Sequence, residues 1–99
     1  VYVLFAGASR VDAFAEQPDG RYRTAGSVSV GANANGLSVR PSGSPLVVSG
    51  TPAMIVDAFQ MTVSESVPGV GAGAVGVRPD GVFAFVGSPG DRLLRVIGL

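Results

Sequence analysis

The stretch GLSVRPSG at residues 36–43 and its near copy VGVRPDG at residues 75–81 decide the fold of this chain. In both, a Pro with a fixed φ precedes Ser or Asp, whose side chain bonds the nearby backbone, and then Gly, which accepts a positive φ. A tight hairpin turn requires this combination. Because an apolar run follows each turn, we predict that Gly43 and Gly81 have positive φ in equivalent hairpins.

Short apolar runs rich in Val, Ile and aromatic residues recur along the chain, and turn residues separate nearly all of them. A third turn of the same kind, PDG, lies at residues 18–20. The predicted strands lie at residues 1–6, 11–16, 21–30, 37–40, 46–49, 54–59, 61–67, 75–78, 82–86 and 93–97. This pattern predicts an all-β fold of antiparallel, propeller-like repeat units, with a small β-sandwich or barrel as the alternative.

The chain also repeats itself. Arg40 and Arg78 begin the two Arg-Pro-[Ser/Asp]-Gly turns, and the tetrapeptide VDAF occurs both at residues 11–14 and at residues 56–59. The repeat has a period of about 40 residues with four strands, which is the spacing of a propeller blade. We therefore expect one β repeat module over residues 1–99, with units at about residues 1–30 (partial), 31–69 and 70–99 (partial).

The unit Gly-x-x-Val-x-Pro-Asp-Gly, apolar strand, loop, then Val-x-Val/Ile-Asp resembles the YVTN family of β-propeller repeats over about two and a half units. The resemblance implies that residues 36–43 and 75–81 form inner strands with their turns. It also implies that residues 46–49 and 82–86 form second strands, and that Val56 and Val96 lie on third strands. The chain departs from the family pattern at Gly98, where the family usually has an acidic residue.

A βα alternative stays open, because a helix-start signal follows each Gly-ended strand. These signals are Ser9 with Asp12, Thr51 before Pro52, and Ser88 with Asp91. The segments that follow are short and contain β-branched residues throughout. Because short isolated helices are marginal, we favour strands there.

The composition limits the chemistry that the chain can perform. Its 99 residues include seven arginines and seven acids, with no Lys, His, Cys or Trp. A nucleophilic Ser would therefore lack its usual base, and no oxygen-ligand metal loop is present. We expect no enzyme activity and no cofactor. The scattered arginines make no basic stripe for nucleic acid, and residues 1–8 are too short to span a membrane.

Two motifs that resemble functional sites have simpler structural interpretations. Residues 71–76 read GAGAVG and satisfy the dinucleotide-binding pattern G-x-G-x-x-G, but the turn at residues 78–81 leaves no room for the helix that the pattern needs. We expect an inter-strand linker there. Asp12 and Asp57 occupy matching positions of the VDAF repeat, so we expect repeated structural acids and no catalytic carboxylate pair.

The aromatic residues lie mostly inside apolar strands, which predicts burial in the core in place of a stacking platform for a ligand. They are Tyr2, Phe5, Phe14, Phe59, Phe83 and Phe85. Tyr22 is the exception, because it lies between Arg21 and Arg23 and is expected at a surface or subunit contact.

Ten strands make two and a half four-stranded blades, fewer than the four blades of the smallest closed propellers. Only 14% of the residues are charged, which suits extensive packing against other protein. We therefore expect a non-enzymatic structural or interaction module, a subunit of a larger homo- or hetero-assembly such as a coat, surface or decoration protein. The alternative is a fragment of a larger propeller that resembles the lactonase-type members of the family, with its catalytic groups on other blades.

Overall fold

The computed structural model of the chain describes residues 1–67, 73–88 and 93–99. Ten β-strands and one turn of 3₁₀ helix, Ala6–Ala8, occur in these residues. The strands are β1 (Tyr2–Phe5), β2 (Arg10–Glu16), β3 (Tyr22–Ser29), β4 (Leu37–Val39), β5 (Leu46–Val48), β6 (Ala53–Asp57), β7 (Thr62–Val67), β8 (Val75–Val77), β9 (Phe83–Ser88) and β10 (Leu93–Gly98). Each predicted strand is present, with ends close to the predicted ones.

The strands form three antiparallel sheets, in which strands that are consecutive in the chain are neighbours. The first sheet contains β1-β2-β3, the middle sheet β4-β5-β6-β7, and the third sheet β8-β9-β10. The predicted all-β, antiparallel fold class is confirmed. The βα alternative is wrong after Ser9 and Thr51, where β2 and β6 follow, because each of these segments pairs along its length with a strand on either side. The third helix-start signal includes Asp91, which lies outside the described residues.

The prediction of positive φ at the turn glycines is confirmed. Gly43 has φ +95° and Gly81 has φ +74°, and in each turn the Gly N–H donates to the carbonyl of the Arg that begins the turn, at 2.8 Å. Gly20, in the PDG turn between β2 and β3, has φ +83° and donates in the same way to Gln17. The three turns therefore share one backbone geometry.

The hairpins that contain the two Arg-Pro turns match in their hydrogen bonds as well. Ser49 N–H donates to Gly36 at 2.9 Å, and one repeat later Gly87 N–H donates to Ala74 at 2.9 Å. The carbonyls of Pro45 and Phe83, which also lie one repeat apart, accept from the N–H groups of the two turn arginines. Residues that are separated by the same number of positions as the two turns therefore occupy equivalent places in the middle and third sheets.

The sheets stack face to face, with the middle sheet covered on both sides. One hydrophobic core lies between the first and middle sheets and contains Val11 with Leu46 and Val56. A second core lies between the middle and third sheets and contains Val47 with Ala84. Since side chains alternate along a strand, β5 contributes to both cores in turn. Strands β4 and β8 lie beside each other, so the middle and third sheets also meet along their first strands.

The expected equivalence of the two VDAF segments is wrong. Val11 faces the middle sheet and Val56 faces the first sheet, so the two valines lie on opposite faces of their own sheets. Val11 pairs with Leu4, and Val56 pairs with Leu46. The strands at residues 3–7 and 46–50 both end in Gly and are equivalent, so Val3 corresponds to Leu46. Their partners on the next strand, Asp12 and Val56, then correspond to each other. The sequence match is therefore shifted by one residue from the structural match.

Candidate packing surfaces on the outer sheet faces

The outer face of the third sheet, which points away from the middle sheet, is apolar. Ala84, Val86 and Ile97 point inward, so their neighbours along β9 and β10 point outward. These outward residues are Phe83, Phe85, Leu94 and Val96. Leu94 is 63% exposed and Val96 is 58% exposed. Large apolar side chains are thus presented together on one sheet face in this structure.

The outer face of the first sheet is apolar along β1 and polar along its other strands. Val3 and Phe5 point away from the middle sheet and are about two-fifths exposed. Their partners on β2 are Asp12 and Arg10, respectively. This face therefore combines an apolar strand with an adjacent ion pair.

Both outer faces correspond to faces that are buried in the middle sheet. In the middle sheet, the counterparts of Phe85, Leu94 and Val96 are Val47, Ala53 and Ile55, at most 6% exposed under the third sheet. The counterparts of Val3 and Phe5 are Leu46 and Val48, at most 1% exposed under the first sheet. The difference in exposure between these equivalent positions follows from the presence or absence of a covering sheet.

Asp12 and Arg10 form the most buried ion pair in the described part of the chain. Arg10 Nε lies 2.9 Å from Asp12 Oδ1, and the side chains are 46% and 11% exposed, respectively. Oδ1 nevertheless accepts no hydrogen bond. The close approach is therefore an ion contact in which the guanidinium N–H does not point at the oxygen. The guanidinium also lies over the Phe5 ring, 5.4 Å from its centroid.

A similar Arg–Phe contact lies at the edge of the outer face of the third sheet. The Arg78 guanidinium is 5.7 Å from the centroid of the Phe83 ring, and its Nη2 lies 2.8 Å from Asp80 Oδ2. Asp80 Oδ1 also accepts a hydrogen bond from Val82 N–H at 3.0 Å. Each outer face thus carries an arginine that contacts an aromatic ring and a carboxylate.

The expected burial of the aromatic residues in the core holds in part for Tyr2, which is partly buried against the core between the first and middle sheets, and is wrong for the others. Tyr2, Phe14 and Phe85 are half-buried. Phe5 and Phe83 are exposed because their sheet faces have no cover, and Phe59 is 80% exposed because it lies in the turn after β6. Tyr22 is exposed, as expected. One feature of the sequence could have indicated the outer face of the third sheet: Val47 and Ala53 are replaced by larger apolar residues at the equivalent positions of the next repeat.

The two aspartates of the VDAF segments are not brought together as a site. Asp12 lies within β2 of the first sheet, whereas Asp57 ends β6 of the middle sheet. Asp57 Oδ1 accepts hydrogen bonds from the N–H groups of Phe59 and Gln60, at 2.9 and 3.1 Å, and so holds the turn to β7. The glycine-rich run at residues 71–76 lies partly outside the described residues.

Within the described ranges, no cluster of acidic side chains is arranged to hold a metal ion, and no helix is long and apolar enough to cross a membrane. An open depression of about 330 Å³ lies at the far end of the first sheet and is lined by Ala15, Gln17, Arg23, Thr24 and Ala25. Its walls contain one charged side chain and no acid. The exposed apolar side chains of the two outer sheet faces make these faces the candidate functional surfaces.

Comparison with known proteins supports the fold and leaves the family open. No protein family matches the chain, and no curated protein matches it either. Among solved structures, a chain of Kuenenia stuttgartiensis hydrazine synthase is similar over 98% of this chain, with a TM-score of 0.79 and 20% sequence identity. The match covers 28% of that chain. The likeness shows a shared all-β fold, found in the other protein as part of a much longer polypeptide.

Proposed function

We propose that this chain is a non-enzymatic structural or interaction module of the propeller type, whose two outer sheet faces are packing surfaces for further protein. The main support is the equivalence between Val96 and Ile55. Both lie at the same place in their sheets, but Ile55 is 6% exposed and Val96 is 58% exposed. Burying such a side chain stabilises a protein by roughly 1.5–3 kcal/mol, so a covering sheet on the third sheet is energetically favoured.

The composition supports the non-enzymatic part of the proposal. The chain has no His, Cys or Lys to serve as nucleophile or base, and Asp12, Asp57 and Asp80 take part in ion pairs or accept hydrogen bonds that hold turns. The resemblance to YVTN repeats adds the propeller interpretation, in which each blade covers the next. Other chains, in a homo-oligomer or a larger assembly, are the proposed partners.

A second candidate is that the module belongs to a longer propeller protein, in which further blades of the same polypeptide cover the outer faces. The match to 28% of a hydrazine synthase chain favours it, because there the same fold is part of a longer polypeptide. Lactonase-type chemistry would then lie on other blades. The two candidates agree on the role of the outer faces and differ in the source of the covering sheets.

Light scattering coupled to size-exclusion chromatography tests the packing role directly. We expect the chain to associate as its concentration rises, and the substitution Val96→Glu to return it to single chains, because a charge on the outer face cannot be buried without a partner. The matched control is Phe59→Glu, which changes a more exposed apolar residue in a turn outside both faces. A folded chain that remains single at high micromolar concentration would contradict association through these faces.

A further inference from the structure

We infer that Asn35 is a site of spontaneous deamidation, at which the side-chain amide is lost as ammonia and the backbone before Gly36 is rearranged to isoaspartate. The inference goes beyond the proposed function and does not depend on it. Asparagine is one of the thermolabile residues. Residues 35–36 lie between the bridge at Ala32 and the start of β4, and belong to no strand. Asn35 is exposed, so water reaches its amide.

The reaction needs a backbone N–H, on the residue after the asparagine, that can approach the carbon of the side-chain amide. Gly36 has no Cβ to obstruct this approach. Its nitrogen attacks Cγ of Asn35 and a new C–N bond forms. The bond from Cγ to the side-chain amino group breaks, and this group takes the Gly36 amide proton and leaves as ammonia. Water then opens the resulting succinimide ring at one of its two carbonyls, which produces aspartate or isoaspartate.

The structure distinguishes Asn35 from the two places where an aspartate precedes Gly. At residues 19–20 and 80–81, the Gly N–H donates to the first carbonyl of its turn, at 2.9 and 2.8 Å. Each Asp carboxylate also accepts a backbone hydrogen bond at 3.0 Å, which fixes its position in the turn. Within the described residues, neither the Asn35 side chain nor the Gly36 N–H makes a hydrogen bond. The two reacting groups are therefore both available.

The product matters because Gly36 lies where the middle and third sheets meet. Its carbonyl accepts a hydrogen bond from Ser49 N–H at 2.9 Å. A Cβ built on Gly36 would lie 3.1 Å from Val75 Cγ1, on β8, and 3.3 Å from Ser49 Oγ. Isoaspartate at residue 35 adds one carbon to the backbone immediately before this packed residue. Gly36 cannot then keep both its hydrogen bond and its contact with β8, so the modification loosens the junction of the two sheets.

The chain contains a matched control for the experiment. Asn33 is its only other asparagine, is also exposed, and precedes Ala34 in place of Gly. The chain is incubated in a mildly alkaline buffer, and fragmentation mass spectrometry locates each amide that has become a carboxylate. We expect the change at Asn35 in large excess over Asn33, with one negative charge gained from a net charge of zero. An unchanged Asn35, or equal change at the two asparagines, would overturn the inference.

Two variants test the reaction and its effect on the backbone. Asn35→Gln should slow the reaction strongly, because the longer side chain has to close a larger ring. Asn35→Asp carries the charge of the product on an unaltered backbone. We expect the isoaspartate fraction of the incubated chain, purified by ion exchange, to unfold at a lower urea midpoint than Asn35→Asp. Formation of aspartate alone, or equal midpoints, would overturn the rearrangement at the sheet junction, whereas neither result bears on packing through the outer faces.

Discussion

At the scale of single residues, the two Arg-Pro turns share a backbone and differ in their surroundings. A Cβ built on Gly81 would lie 2.9 Å from Arg40 Nε and 3.1 Å from Arg40 Cγ, whereas a Cβ on Gly43 would meet nothing within 4 Å. Both glycines have positive φ, which costs a residue with a side chain about 1–2 kcal/mol. From the sequence alone, substitution of either glycine is expected to cost the same free energy of unfolding. The sequence does not predict the difference, because the neighbour of Gly81 comes from another sheet.

We therefore expect Gly81→Val to lower the free energy of unfolding more than Gly43→Val, which should lose about 1–2 kcal/mol. Asn adopts the left-handed conformation more easily than Val, so Gly43→Asn should lose less than Gly43→Val. Urea unfolding of the variants, with circular dichroism as the signal, measures these differences. Unchanged midpoints in both Val variants would show that the turns are not formed as described.

The ion pair on the first sheet gives a second prediction at this scale. The equivalents of Arg10 and Asp12 in the middle sheet are Met54 and Val56. Asp12 is the buried member of this pair and Arg10 is 46% exposed, so solvent screens the pair in part. Replacing both members by apolar residues of suitable size is then expected to be neutral or stabilising, and removing Arg10 alone should cost less than the roughly 3–5 kcal/mol of a fully buried pair.

We expect Arg10→Met alone to destabilise the chain, because Asp12 is left buried without its partner, and the double variant Arg10→Met/Asp12→Val to be at least as stable as the original chain. Chemical denaturation at a protein concentration low enough to keep the chains apart measures both. A double variant that is less stable than Arg10→Met would show that the ion pair holds this sheet together.

At the scale of the strands and turns, the sequence predicts all ten strands and their antiparallel pairing, because turn residues and β-branched runs are local signals. It does not predict the register of the VDAF segments. At residues 11–14 the four residues continue β2, whereas at residues 56–59 they end β6 and enter a turn. A shift of one residue moves a side chain to the other face, and only the covering sheet decides which face is buried.

The turn that ends β6 depends on the Asp57 carboxylate, which accepts two backbone hydrogen bonds. We expect Asp57→Ala to lower the free energy of unfolding by about 1.5 kcal/mol, because hydrogen bonds to a charged group are lost, and Asp57→Asn to lose less. The control is Glu65→Ala, at an exposed position on β7. Equal small losses in Asp57→Ala and Glu65→Ala would show that the carboxylate does not hold the turn.

At the scale of the whole molecule, the outer faces are the part of the structure that sequence reasoning finds least easily. Phe5 and Phe83 lie in apolar strands and are expected in a core, but in the described residues their faces have no sheet packed on them. Composition and strand number favour the proposal that further protein packs on these faces. The residues that would contact it become visible only when equivalent positions are compared across the sheets.

The claim that the outer faces are packing surfaces is tested most directly by urea unfolding at two widely separated protein concentrations, with Ile55→Ala and Val96→Ala as the compared variants. Because association stabilises a folded chain increasingly as concentration rises, we expect the midpoint of the original chain to rise with concentration. Ile55→Ala should lose about 2–5 kcal/mol at both concentrations. Val96→Ala should lose little free energy of unfolding at the low concentration. Its midpoint should rise much less with protein concentration than that of the original chain. An original chain whose midpoint is the same at both concentrations, with Val96→Ala indistinguishable from it throughout, would contradict the account.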